Sequence, residues 1–337
     1  MALTVLTKED AQVIVVEQTA FGTAGLDNAA GIILDIETVA FDFDDKVVES
    51  NPAVASRVED DRGFFTHQNR AMPKVEITGI VHNDHIARFM YGFFQSVTEP
   101  VGSPFGKTFI PHASQPDFTA NAGYFFTLII DQSVASVAHK VADMVVAELK
   151  FDQQPGEPLK YTASCVGRGP VAIDSNPSGS YTRAVQSFYF GENQLTHTID
   201  FGGDALTPIN AGGFQIEFAQ TVEAVGMDGS GSFNTYMLKK KGGSYKEKAL
   251  FDATSRTAFA NRAANTPVDI TVKWGNASSG TVDLDLNFAL HGKIKPETTQ
   301  NVDDILGVDI DVKLTGDIEN STEMATVIIA DDTDMSW

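Results

Sequence analysis

The residues with the most obvious chemical capacity are two histidines three apart, His82 and His85, with His67 and His112 elsewhere in the same half. Imidazoles are common metal ligands and general bases. At this spacing, however, the pair straddles a helix start instead of sharing a face as i, i+4 ligands do. No cysteine or close carboxylate set completes four ligands, so the sequence gives no metal site. Asp283, Asp285 and Asn287 imitate the opening of a calcium loop. No glycine follows where that loop turns sharply, and the intervening leucines keep strand period, so these residues read as the wet face of a strand.

Other signatures of chemistry are missing. There is no G-x-x-x-x-G-K-S/T, no G-x-G-x-x-G after a strand and no G-x-S-x-G, which removes the phosphate-binding and serine-hydrolase readings. Asp228-Gly229-Ser230-Gly231 lies between apolar segments and carries the Asp-Gly mark of a hairpin turn. Acid pairs for glycoside chemistry cannot be picked out among 45 Asp and Glu. The single cysteine, Cys165, sits on the apolar side of an alternating strand and reads as a core residue, which excludes a disulfide framework within the chain. We therefore expect no catalytic residue, no cofactor and no enzyme.

Charge narrows the partners. Against those 45 acids stand 24 Lys and Arg, giving a net charge of -21 over 337 residues, spread over both halves. Such a chain does not grip nucleic acid through phosphates, although it suits a surface that repels DNA and lets it slide. Solubility of an abundant protein, or a salty habitat, gives the same composition. The one basic run is Lys239-Lys240-Lys241, with Lys246 and Lys248 nearby. It reads as a solvated loop, or more sharply as a contact for an acidic neighbouring subunit. No apolar run is long enough to span a bilayer, and Met1-Ala2-Leu3-Thr4 lacks a basic n-region, so the expectation is a soluble chain made in a cytoplasm, without membrane partners.

The elements that must position these residues are mainly strands, and they come in two series. Val39 to Phe43, Lys74 to Ile77, Tyr124 to Asp131, Val141 to Phe151 and Leu159 to Cys165 have counterparts in Thr198 to Phe201, Ser232 to Leu238, Thr281 to Leu290, Val302 to Leu314 and Met324 to Ala330. Order and apolar period match; residue identity hardly does. In the first series Ile86, Phe89, Met90, Phe93, Phe94 and Val97 form the stripe of a half-buried helix opening at Asn83 or Asp84. In the second, Ser244 and Glu247 form a capping box, which predicts a helix there. The expected fold is thus mainly β (α+β), in two tandem domains, 1–172 and 173–337, each with one helix.

Several segments also carry a resemblance. Glu17-Gln18-Thr19-Ala20-Phe21-Gly22-Thr23 resembles the E-x-T-x-F/Y-G-T opening of tail tube proteins of long-tailed bacteriophages. Lys74 to Gly79 before an aromatic helix, and Phe109-Ile110-Pro111-His112 leading to Tyr124 to Leu128, are similar to that family's strand, helix and histidine-bearing loop. His139 to Met144, Pro158 to Ser164 and Gly167-Arg168-Gly169 resemble its closing hairpin. The resemblance covers most of the first half; the second half follows it by order of elements.

The resemblance implies that each domain is a tail-tube-like β-sandwich or barrel with one flanking helix, and that the chain is a structural virion protein that polymerises into stacked rings around a channel for DNA ejection. Two domain copies on one chain imply trimeric, pseudo-hexameric rings. The implied partners are other copies of the chain, the tape measure, terminator and baseplate proteins of a virion tail, and DNA in transit. Candidate inter-subunit or inter-ring contacts are Lys239, Lys240, Lys241, Asp45, Arg57, Asp60, Pro104 and Phe105, and candidate lumen-facing acids are Asp283, Asp285, Asp309 and Asp311. A terminator or baseplate hub of the same fold, or a tandem β-sandwich binding module, would show the same outline.

Overall fold

The computed structural model describes residues 12–23, 31–42, 46–50, 65–69, 72–98, 105–132, 137–169, 171–174, 181–183, 190–191, 195–201, 205–207, 209–227, 233–250, 267–275, 285–294, 298–302, 305–316 and 322–331. The protein is mainly β. Its first strands are β1 (Gln12–Glu17), β2 (Gly31–Ile33), β3 (Thr38–Asp42), β4 (Lys46–Ser50), β5 (Phe65–Asn69) and β6 (Lys74–Ile80), followed by helix α1 (Asn83–Phe94). Then come β7 (Val97–Thr98), β8 (Phe105–Phe109), β9 (Phe126–Gln132), β10 (Val137–Gln153), β11 (Lys160–Val166), β12 (Ala172–Asp174) and β13 (Tyr181–Arg183). The rest are β14 (Leu195–Asp200), β15 (Ala205–Leu206), β16 (Ile209–Met227), β17 (Phe233–Leu250), β18 (Pro267–Gly275), β19 (Asp285–Ile294), β20 (Thr298–Val302), β21 (Ile305–Leu314) and β22 (Ala325–Asp331).

Strand β10 organises the first half. Its opening residues pair with β9, which pairs with β1 and through it with β2. The ladder slips between Val141 and Met144, and beyond that bulge β10 pairs with β11, which leads on to β6 and β3. One bent strand thus belongs to two sheets, as bulges allow.

The same strand joins the halves, because Glu148 to Gln153 of β10 pair with Ala219 to Phe214 of β16. From β16 the ladders run through β17, β21, β19 and β18 to β14. A second link pairs β22 with β8. The strands form a closed barrel. One apolar cluster fills both halves. Phe151 meets Phe288 at a centroid distance of 4.8 Å, and Phe94 meets Phe218 at 5.4 Å. The boundary between 172 and 173 therefore interrupts neither sheet nor core.

The two series are wired differently. In the first half the last strand, β11, pairs with β10 before it and with β6. In the second, β22 pairs with β19, and β21 pairs with β17. Nor, among the described residues, does β14 pair with the segment from Ser232 to Leu238; its partners are β15 and β18.

The helix expected at Ser244 is a strand, since Ser244 to Leu250 form the end of β17. Tyr245, Glu247 and Ala249 point inward while Lys246 and Lys248 are exposed, and ladders to β16 and β21 flank this stretch on both sides. Period-two burial and two ladders outweigh a local capping signature, because a helix would forfeit both sets of backbone bonds.

Helix α1, the one α-helix among the described residues, starts where expected but is buried nearly all round instead of on one stripe. It packs against β10 and β8 of the first half and β22 of the second. With neighbours from both halves, little of its surface is left to solvent. Val97, expected on its stripe, lies in β7.

Candidate functional site

Four of the segments that carry the family resemblance, those of Gln18 and Gly22, Thr127, Asp143 and Arg168, converge at the bulge in β10. Asp143, the bulge residue, has a φ of 55° and is fully buried. Its carboxylate accepts from the Gly22 amide at 2.8 and 3.0 Å and from the Gln18 side-chain amide. Gln18 Oε1 in turn accepts from the Asp143 amide at 3.0 Å and from Thr127 Oγ1 at 2.9 Å. Arg168 Nη1 stands 3.8 Å from Asp143 Oδ2. Burial pushes this carboxyl up, while the Gly22 amide, Gln18 and Arg168 hold it down. Gly22 is required by its φ of 84° and by the arginine, since a Cβ there would come within 2.5 Å of Arg168 Nη1.

A long hairpin from the second half docks on this clasp. Met227 pairs with Phe233, so β16 and β17 form an arm; the Asp228-Gly229-Ser230-Gly231 turn expected from the sequence lies outside the described residues. Tyr236 Oη donates to the Asp143 carbonyl at 2.9 Å. The Tyr236 ring meets Phe21 and Phe118 edge-on, each at 5.6 Å. Arg168 lies over the Phe21 ring and donates from Nε to the Phe233 carbonyl. Gln115 acts as a short strand surrogate, donating to the Tyr236 carbonyl at 3.2 Å and accepting from the Leu238 amide at 3.0 Å.

The lysine run lies on this arm, in a strand and not in a loop. The β16–β17 ladder slips between Ala219 and Thr221, and Lys240 opposite adopts a φ of 48°. The bulge sends the three lysines to different fates. Lys239 is paired with Glu223 across the ribbon, and Lys240 is exposed. Lys241 turns inward: its Nζ donates to the Phe94 carbonyl at 2.9 Å and lies 5.4 Å from the Phe93 ring centroid. From the same bulge Gln220 Nε2 donates to the carbonyls of Phe93 and Val146. The arm therefore supplies donors to the last carbonyls of α1, which have no partner within the helix. Burial pulls the Lys241 amine down to about 7. Burial, followed by the Lys241 charge, pulls His112 down to about 4.

Other candidates stay apart. Asp45, Arg57, Asp60, Pro104 and Asp283 lie outside the described residues, as does His67's side chain; the backbone of Phe105 pairs with Asp331. Asp285 forms an ion pair with Lys273 at 2.8 Å. Asp309 and Asp311 stand directly opposite Lys248 and Lys246. This face is mixed in sign, not uniformly acidic. His82 and His85 stack at 4.9 Å, with Asp35 3.8 Å from His82. Burial first, then the neighbouring His82, drives His85 down to about 3. Among the described residues no group of three or more His, Cys, Asp or Glu is arranged to hold a metal ion, and no helix is long and apolar enough to cross a membrane. Cys165 is buried, and burial raises its thiol well above the ordinary value.

No family model matches the chain, and no curated protein sequence is significantly similar to it.

Proposed function

We propose that this chain is a structural subunit of a bacteriophage-type tail tube, built from two related halves and assembling as three chains per ring around a channel that DNA traverses. The reading rests chiefly on convergence. The resembling segments around Gln18 to Gly22, Asp143 and Gly167 to Gly169 are far apart in sequence, and they meet on one buried carboxylate. The motifs are thus parts of a single structural unit. They bind and position backbone; they do not perform chemistry.

The arm adds support. Beyond Ala219 on β16 and before Gly242 on β17, no third strand pairs with it among the described residues. Gln115 and Arg168 occupy part of the β17 edge; the edge of β16 beyond Ala219 has no strand beside it among the described residues, and a symmetric closed ring is one way to satisfy such an edge. Negative-stain microscopy of the purified protein tests the reading. Rings or tubes with a central hole and three chains per ring are expected; monomers persisting at high concentration would overturn it.

A further inference from the structure

His197, Tyr245 and Glu247 meet inside the apolar core. His197 belongs to β14 and the other two to β17, strands that share no ladder among the described residues, so the trio links two walls of the core. Tyr245 Oη donates to Glu247 Oε2 at 2.8 Å and lies 2.8 Å from His197 Nε2. His197 Nδ1 stands 3.5 Å from Glu247 Oε1.

With the acid and the imidazole holding one ionisable proton between them, these contacts form a ring whose Oε1–Nδ1 side has no hydrogen bond. Tyrosine donates to Oε2, the Nε2 hydrogen points at the tyrosine oxygen, and the ionisable proton sits on Oε1 or on Nδ1, which face each other at 3.5 Å. The ring then has no net charge, as a dry site demands. Burial favours the acid as proton holder: it pushes Glu247 up to about 8, against the hydrogen bond from Tyr245, and pulls His197 down to about 4.

The described side chains paired with or packed on the trio are apolar: Phe214 and Ile216 of β16, Val272 of β18, and Ile310 and Val312 of β21. Glu217, Lys246, Lys248, Lys273, Asp309 and Asp311, which flank the trio along these strands, alternate onto the opposite face, and the inward Lys241 of β17 is committed to the Phe94 carbonyl.

We propose that His197, Tyr245 and Glu247 form a single-proton latch, which ties β14 to β17 across the core and weakens when that proton leaves in mildly alkaline solution. The proton count fixes the sign. Unfolded, the glutamate and histidine ionise at 4.5 and 6.5. Between those values both states hold one proton and the latch contributes a level plateau. From 6.5 to about 8 the folded trio keeps a proton that the unfolded chain has lost, so stability falls as pH rises, and it levels off above. Below 4.5 the unfolded chain holds two protons, so stability falls again towards acid.

The test is denaturant unfolding of the full chain and of E247Q between about pH 6 and about pH 9. Glutamine keeps the shape and hydrogen bonds of the protonated acid but cannot ionise. The folding constant of the wild type, relative to E247Q, is expected to fall by at least about tenfold across this range. Lys241 also titrates there, but it is common to both proteins and cancels. Parallel curves would overturn the latch. Should E247Q not fold, infrared spectra of the wild type decide: a protonated carboxyl carbonyl band is expected at neutral pH and should vanish in alkali, and its absence at neutral pH would overturn the proposal.

Discussion

At Asp143 a single side chain is asked to hold a left-handed backbone, a glycine turn and an arginine at once. An aspartate suits this because its short carboxylate tolerates positive φ and accepts several donors. D143N keeps the size but replaces one acceptor oxygen with an amide that must face the Gly22 N–H or the Gln18 amide. It also strips Arg168 of its counter-charge. The expected cost is about 3 kcal/mol, the range for removing one partner from a buried charge pair, measured as a lowered urea midpoint with an unchanged slope. A loss within about 0.5 kcal/mol, the size of an ordinary surface substitution, would mean that the clasp does not hold the fold together. The sequence displays every member of this cluster, but not the cluster itself. Gln18, Asp143 and Arg168 are too far apart for any periodic pattern to connect them, and their only shared signal was membership in the resembling segments.

Among elements, legibility followed backbone pairing. Strands with strict alternation, such as β19 with Leu286, Phe288 and Leu290 buried, could be read directly. The end of β17 alternates just as well, but the buried Glu247 disguised it as polar sequence with a helix cap, and its partner His197 lies in a strand far away. The lysine run misled for a related reason. A bulge reverses the usual alternation, so one of three adjacent lysines points into the protein to cap α1. Bulges depend on the facing strand, which local sequence does not show. The arm itself is held to the first half chiefly by Tyr236, Gln115 and Arg168. Y236A removes a fully enclosed ring and its hydrogen bond, a loss of about 3 to 5 kcal/mol for a large core aromatic. Because the ring lies at the docking face, the loss should be local. Hydrogen exchange is expected to accelerate in Thr235 to Leu238 while β9 and β11 keep their protection. Equal loss of protection in all three would show that arm and body unfold as one unit.

For the whole molecule the dominant number is the net charge of -21 per chain. Three such chains brought into one ring repel each other over distances comparable to the Debye length, about 10 Å at 0.1 M salt. The lysines that could have offset this are partly committed within the chain: Lys239 to Glu223, Lys273 to Asp285 and Lys241 to the end of α1. If rings form through ribbon edges and apolar contact, added salt should favour them by screening the repulsion. Sedimentation velocity at constant protein concentration is then expected to show a rising ring fraction as sodium chloride increases from about 0.01 M to about 0.5 M. The opposite trend would mean that attractive ion pairs dominate the interface. That result would return the lysine-to-acid contact to the centre of assembly, with exposed Lys240 the first residue to exchange for glutamate. A ring fraction indifferent to salt would show that neither repulsion nor ion pairing governs association, leaving buried apolar surface as the controlling term.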